Sequence, residues 1–210
     1  YIADYDNGRI QRFNPDGVYQ DGWSASDSGE LIYGMAVNFD GNVFVAVGRN
    51  LKKYDGPSGA FILSIEAYGG GEYGDLTTTI DGNLLAVWYE GRNGVYFSDD
   101  PGHREDLVMF DRDMNVMNTK SAFISSITSD AQTEVLITVD GNGMIYAESN
   151  STIFAFDKGG NFIDRFTPSE DAPGSFTWVN DIAVDGQGRV YVLESYTIHV
   201  FDSNFAFIDD

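Results

Sequence analysis

A fixed spacing constrains this chain more than any other feature. In three separate stretches an aromatic residue stands 13 residues after a turn glycine: Gly41 to Tyr54, Gly143 to Phe156 and Gly188 to Phe201. A fourth pair, Gly82 and Phe110, keeps the order at a distance of 28, so that copy carries a 15-residue insertion. Around the four glycines, segments 36–45, 77–86, 138–147 and 183–192 fall on one template, strand-forming residues on either side of a tight turn. Such segments are β-hairpins. Each aromatic is followed by Asp or Asn, as Phe13-Asn14, Tyr54-Asp55, Phe110-Asp111, Phe156-Asp157 and Phe201-Asp202. Counting back 13 from the first anchor, Phe13, falls just before Tyr1, which predicts a first unit lacking its first strand.

The last unit reads most cleanly, with strands expected at 182–185, 190–194, 197–201 and 205–208. Strands this short, separated by Gly, Asp, Asn and Ser, build a four-stranded antiparallel blade. One small twisted sheet leaves an apolar face in water, so successive blades pack face to face around an axis. The expected fold class is therefore all-β, a β-propeller of four-stranded antiparallel blades over residues 1–210. Five units are visible. The four expected inner strands, 35–38, 76–79, 136–140 and 182–185, should surround one channel. Counting strands predicts an inner strand missing at each end, with the edge at Tyr1 to Tyr5 covered by further sequence or by a neighbouring copy.

Composition narrows what such a ring can bind. Lys plus Arg number 12 against 33 Asp plus Glu, a formal charge of −21, which leaves no electrostatic basis for holding phosphates. Nucleic acid and membrane insertion are excluded as partners, the second because no apolar run is long enough to cross a bilayer. Hydrophobic residues make up 42% of the chain, far more than a disordered acidic segment carries. With no cysteine, disulfides and thiolate chemistry are absent. The carboxylate-rich surface suits an extracellular or cell-surface protein.

Residues 1–17, Tyr-Ile-Ala-Asp-Tyr-Asp-Asn-Gly-Arg-Ile-Gln-Arg-Phe-Asn-Pro-Asp-Gly, resemble the NHL-repeat β-propeller family: a strand ending in Ala-Asp, a turn with Asn, then Arg-Ile-x-x-Phe and an Asp-Gly turn. Later units keep the skeleton, with Asn50-Leu51, Asp106-Leu107, Thr152-Ile153 and Thr197-Ile198 in place of Arg9-Ile10. The resemblance implies a six-bladed ring. It also implies a metal reading for Asn180-Asp181, because related lactonases hold a divalent metal with an Asn and an Asp. Those enzymes add a Glu that is not recognisable here.

Three sets of residues are candidates for chemistry. The Asp-Gly-Asn stretches at 40–42, 81–83 and 140–142 look like the start of a calcium loop but sit between strands, where they serve as turns. At the start of the inner strands, Gly34, Asp75, Leu136 and Asp181 stand four residues before the aligned turn positions, which points two carboxylates at one mouth of the channel. The insertion, 89–106, falls on the same face and gathers Tyr96, Phe97, Asp99, Asp100, His103 and Glu105. Long loops on rigid scaffolds carry function. No Gly-rich phosphate loop or Gly-x-Ser-x-Gly turn is present, and Gly69-Gly70-Gly71 reads as a blade connection. Asn150-Ser151-Thr152 is a glycosylation sequon in a hairpin turn.

The expected function is a non-catalytic extracellular binding or scaffolding propeller, presenting the loop-rich face to a protein, a glycan or a neighbouring subunit, with no cofactor. The alternative is a metal-dependent hydrolase or lyase of the lactonase or amidating-lyase type, holding a divalent metal such as calcium through Asp75, Asn180 and Asp181.

Overall fold

A computed structural model describes residues 1–26, 29–90, 104–128, 134–169 and 172–209. Five antiparallel sheets follow one another along the chain. The first has three strands, β1 (Ile2–Asp4), β2 (Arg9–Phe13) and β3 (Tyr19–Ser24). The second contains β4 (Ile32–Val37), β5 (Asn42–Val47), β6 (Asn50–Asp55) and β7 (Ala60–Glu66). The third contains β8 (Glu72–Thr78), β9 (Leu84–Tyr89), β10 (Glu105–Phe110) and β11 (Val116–Ser121). β12 (Leu136–Val139), β13 (Ile145–Ser149), β14 (Thr152–Phe156) and β15 (Phe162–Phe166) make the fourth. β16 (Val179–Val184), β17 (Val190–Glu194), β18 (Thr197–Phe201) and β19 (Phe207–Asp209) make the fifth. The one helical turn among the described residues is a 3-10 turn at Tyr68–Gly70, in the glycine-rich blade connection.

Strand order within every sheet is sequential, as hairpin connections require. Successive sheets bury apolar side chains against each other: Phe44, Leu51, Trp88 and Phe110 between the second and third, Val87, Leu107, Ile145 and Phe154 between the third and fourth. Ile153, Val192 and Phe201 seal the fourth against the fifth, and Ile10, Val45 and Tyr54 the first against the second. The innermost strands touch in sequence, β4 with β8, β8 with β12 and β12 with β16. This is the expected propeller, and the inner strands begin three or four residues earlier than expected except at β12.

The 13-residue spacing now has a physical cause. In all five sheets the register between the last two strands shifts at the anchor aromatic, Phe13, Tyr54, Phe110, Phe156 and Phe201. The following Asp or Asn folds back onto the chain: Asp157 Oδ1 accepts from Gly159 and Asn161 N–H, both at 2.9 Å. Asn14, Asp111 and Asp202 make the same pair of contacts at i+2 and i+4. These are Asx turns, which fix both the turn and the pairing register of the strand that follows. Tyr54, Phe110, Phe156 and Phe201 are buried, while Phe13 is half-buried against Tyr19. The hairpin glycines Gly41, Gly82, Gly143 and Gly188 all have φ near +80°, and Asp140 and Asp185 bond the backbone across them. The Asp-Gly-Asn stretches are turns.

Candidate functional site

The channel mouth is built where the inner strands begin. Two glycines let the strands come close there. A Cβ on Gly34 would stand 2.4 Å from the Gly74 carbonyl oxygen, and one on Gly74 would stand 2.6 Å from the Tyr89 ring. Beside them the pairing is irregular. β4 bulges between Ile32 and Gly34, β8 between Tyr73 and Leu76, and β16 between Val179 and Asp181. A bulge bends the strand and re-aims the side chains around it. In β8 and β16 those side chains include Asp75 and Asp181.

Asp75 is half-buried in a cavity of about 340 Å³ lined by Tyr5, Ile32, Tyr33, Gly74, Tyr89, Glu134, Val135 and Leu136. Its Oδ1 accepts from Leu76 N–H and its Oδ2 from Ile137 N–H, each at 2.8 Å. Burial pushes this carboxyl up to about 7; the two backbone donors oppose that, and the negative charges of Asp181 and Glu134 add to it. Asp181 is also raised by burial, against one bond from Ile182 N–H at 2.8 Å. Thus the two carboxylates expected at one mouth are near enough to influence each other.

A second cavity of about 340 Å³ shares Glu134 and Leu136 with the first and continues along Glu148, Asn150, Ser151, Thr177, Trp178 and Val179. Glu148 is 6% exposed, and its Oε1 accepts from Ser151 N–H at 2.9 Å. Burial raises it to about 7, with Glu134 adding to the shift. Trp178 stands at the rim, 81% exposed, while its backbone is fixed by a bond from its N–H to Glu194 Oε1. Glu194, which also receives Thr177 N–H and lies 3.3 Å from His199 Nε2, is held down at about 2, chiefly by the Thr177 backbone bond.

The other expected residues divide. Asn180 does not turn into the cavities: it is the bulged residue of β16, and its Oδ1 accepts from Ser195 N–H at 2.7 Å. Glu105 belongs to β10 rather than to the exposed loop surface. It is 1% exposed, and its Oε1 takes Ile124 N–H and Ser125 N–H at 3.0 and 2.6 Å. Tyr96, Phe97, Asp99, Asp100 and His103 lie outside the described residues. The base of their insertion is firm. Glu90 N–H donates to Arg104 O, Arg104 grips the buried Asp106 through two bonds of 2.8 Å, and Tyr68, stacked on Trp88, donates to the same carboxylate at 2.7 Å.

Among the described residues no group of three or more His, Asp or Glu is placed to hold a metal ion. Of the donors proposed for one, both Asp75 oxygens, the Asn180 oxygen and Asp181 Oδ1 accept backbone N–H groups. The donor set present does not fit a metal centre, which needs several free oxygens converging on one point.

Glu134, Glu148, Trp178 and the three tyrosines were missed by sequence reasoning. A signal existed for one of them. Five residues after the turn glycine stand Ala46, Val87 and Leu193 in three units and Glu148 in the fourth, an acid in an otherwise apolar column.

No family model matches this chain, and no curated protein matches it. Solved structures do. A protein of unknown function from Bacteroides caccae superposes with a TM-score of 0.59 at 12% identity, over 99% of this chain and 92% of that one. A gluconolactonase from Xanthomonas campestris superposes with a TM-score of 0.65 at 16% identity, over 98% of this chain and 69% of that one. At such identities the likeness establishes the fold, a β-propeller, and nothing finer.

Proposed function

We propose that this chain is a binding propeller without catalytic activity, working outside the cell, whose channel-mouth face takes up a protein segment, a glycan or a neighbouring copy. One observation carries the reading. Two cavities adjoin at Glu134 and Leu136, lined by aromatic rings and carboxyl groups. Concave sites with a few convergent polar groups are where ligands bind. The described ends of the insertion, Glu90 and Arg104, are bonded together directly after Tyr89, one of the residues lining the first cavity. In the NHL-like first unit Asp4 receives Asn7 Nδ2 at 2.8 Å and Arg9 Nε at 2.7 Å, so the motif locks a turn.

A second reading is favoured by Asp75. A carboxyl near 7 in a cavity suits proton transfer at neutral pH, and one structural neighbour is a gluconolactonase. Under that reading the chain is a hydrolase or lyase whose metal ligands include residues outside the described set. The two are separated by comparing wild-type protein with Trp178→Ala on an oligosaccharide array and by sedimentation, alongside lactone turnover with and without calcium. Retention of a ligand by the wild type that is lost in the variant supports the binding reading. Calcium-dependent turnover lost in Asp75→Asn, with no ligand retained, replaces it with the second.

A further inference from the structure

We infer that the groove formed by the two cavities at the channel mouth is a site for an organic cation bearing two ammonium groups, one seated at Asp75 and the other at Glu148. The inference rests on the binding reading above and names the chemistry of its ligand.

Charge is the first reason. The groove is lined by Asp75, Glu134 and Glu148, with Asp181 close enough to act on Asp75, and no Lys, Arg or His is among the described residues lining either cavity. A chain of net charge −21 draws cations toward such a concave acidic mouth. The second reason is an open valence in a buried place. Glu148 is 6% exposed and lines the second cavity, yet only its Oε1 has a hydrogen-bond partner; among the described residues none stands on Oε2. An incoming ammonium donor gives this oxygen a charged partner in a largely buried setting.

The third reason is the aromatic surface. Tyr5, Tyr33 and Tyr89 line the first cavity, and Trp178, 81% exposed, flanks the second. Ring faces attract alkylammonium groups, most strongly those of Trp. Two stations joined through the shared Glu134 favour a ligand carrying two charges on one flexible chain, because the second group binds at high effective concentration once the first is seated. Ionised carboxylates are the partners of such a ligand. The groups that face Asp75 are Asp181, Glu134 and the Leu76 and Ile137 N–H donors; those that face Glu148 are Glu134 and the Ser151 N–H. Seating a cation therefore drives protons off both sites near neutral pH.

Two sources share this chemistry, a free diamine and a pair of lysine side chains on a peptide. The test is calorimetry at pH 7.5 with 1,5-diaminopentane, 1-aminopentane, 1,5-pentanediol, magnesium ion and a short peptide with two lysines. The diamine is expected to bind at least ten-fold tighter than the monoamine, and the neutral diol not to bind. Glu148→Gln and Asp75→Asn should each bring the diamine to the monoamine level, and Trp178→Ala should weaken it several-fold. Tighter binding of the peptide than of the diamine assigns the site to a protein segment, and the reverse assigns it to a free diamine. Diamine binding no tighter than monoamine, or equally sensitive binding of magnesium, overturns the inference. If array ligands are retained while the diamine is not, the cation assignment fails and the binding reading stands; if neither is retained, both fail. Glu148→Gln is near-isosteric and Trp178 is exposed, so a folded variant is available either way.

Discussion

The two ends of the inner strands treat carboxylates in opposite ways. At the hairpin end, Asp185 receives Gln187 and Arg189 N–H at 2.9 Å each and the Arg189 guanidinium at 2.6 Å. Burial works against its ionisation, but these bonds outweigh it and hold the group at about 2. Asp111, Asp157 and Asp202, in the outer turns, are lowered in the same manner, chiefly by Asn115, by Asn161 and by the Ala206 backbone. At the mouth end, Asp75 and Glu148 have burial, fewer donors for their depth and acidic neighbours, and both stand at about 7. The lesson is that one residue type, repeated throughout an acidic chain, does two jobs. Where backbone N–H groups converge, Asp is a structural clasp. Where burial and acidic neighbours outweigh such donors, as at Asp75, the acid is held at a cost to stability, and that cost marks a site.

The comparison can be tested by changes that strike each half. The largest expected effect lies in the frame. Phe156→Ala removes a ring that is 1% exposed and packed on Phe123 and Phe162, and should cost about 3–5 kcal/mol in denaturant unfolding. Phe13→Ala, at the equivalent but half-buried position, should cost roughly half as much. Equal losses would show that the anchor acts through its turn rather than through burial.

Next comes a change of opposite sign at the mouth. Because Glu148 is raised from 4.5 to about 7, the folded state loses stability as pH rises through that interval, whereas stability is full below it. Glu148→Gln should therefore be more stable than wild type at pH 8 by about 1–3 kcal/mol and nearly equal to it at pH 4. Glu194 and Asp185, lowered to about 2, act the other way. Their contribution is present above the ordinary carboxylate range and is lost as pH falls toward 2. The Gln variant should thus flatten the alkaline side of the stability profile and leave the acid side unchanged. A wild-type profile flat between pH 5 and 8 would remove the contrast on which the site rests.

A third, smaller effect concerns the ligand. Diamine affinity should fall about ten-fold between pH 8 and pH 6.5, as protons compete for Asp75 and Glu148. Affinity independent of pH would place the cation elsewhere. Smallest of all should be Asp157→Ala, which deletes an exposed clasp between β14 and β15. Thermal unfolding should drop slightly, with the alkaline side of the profile untouched. A change in that side would tie the outer turns to the mouth.

Spacing by itself determined the architecture. Gly41, Gly143 and Gly188, each 13 residues ahead of Tyr54, Phe156 and Phe201, fixed hairpin, strand order and blade, because a turn that needs φ near +80° and a register that shifts at one aromatic are local events. The same local alignment placed Asp75 and Asp181 at a common mouth. It did not place Asn180, because a bulge depends on the partner strand and sent that side chain to Ser195. Nor did it bury Glu105, whose partners Ile124 and Ser125 come from a later loop. Glu134, Glu148 and Trp178 came together only in three dimensions, from β13 and the segments leading into β12 and β16. Periodicity reports what every unit must do to fold, and the cavity was decided by the residues that depart from it, brought into contact by blades packed around an axis.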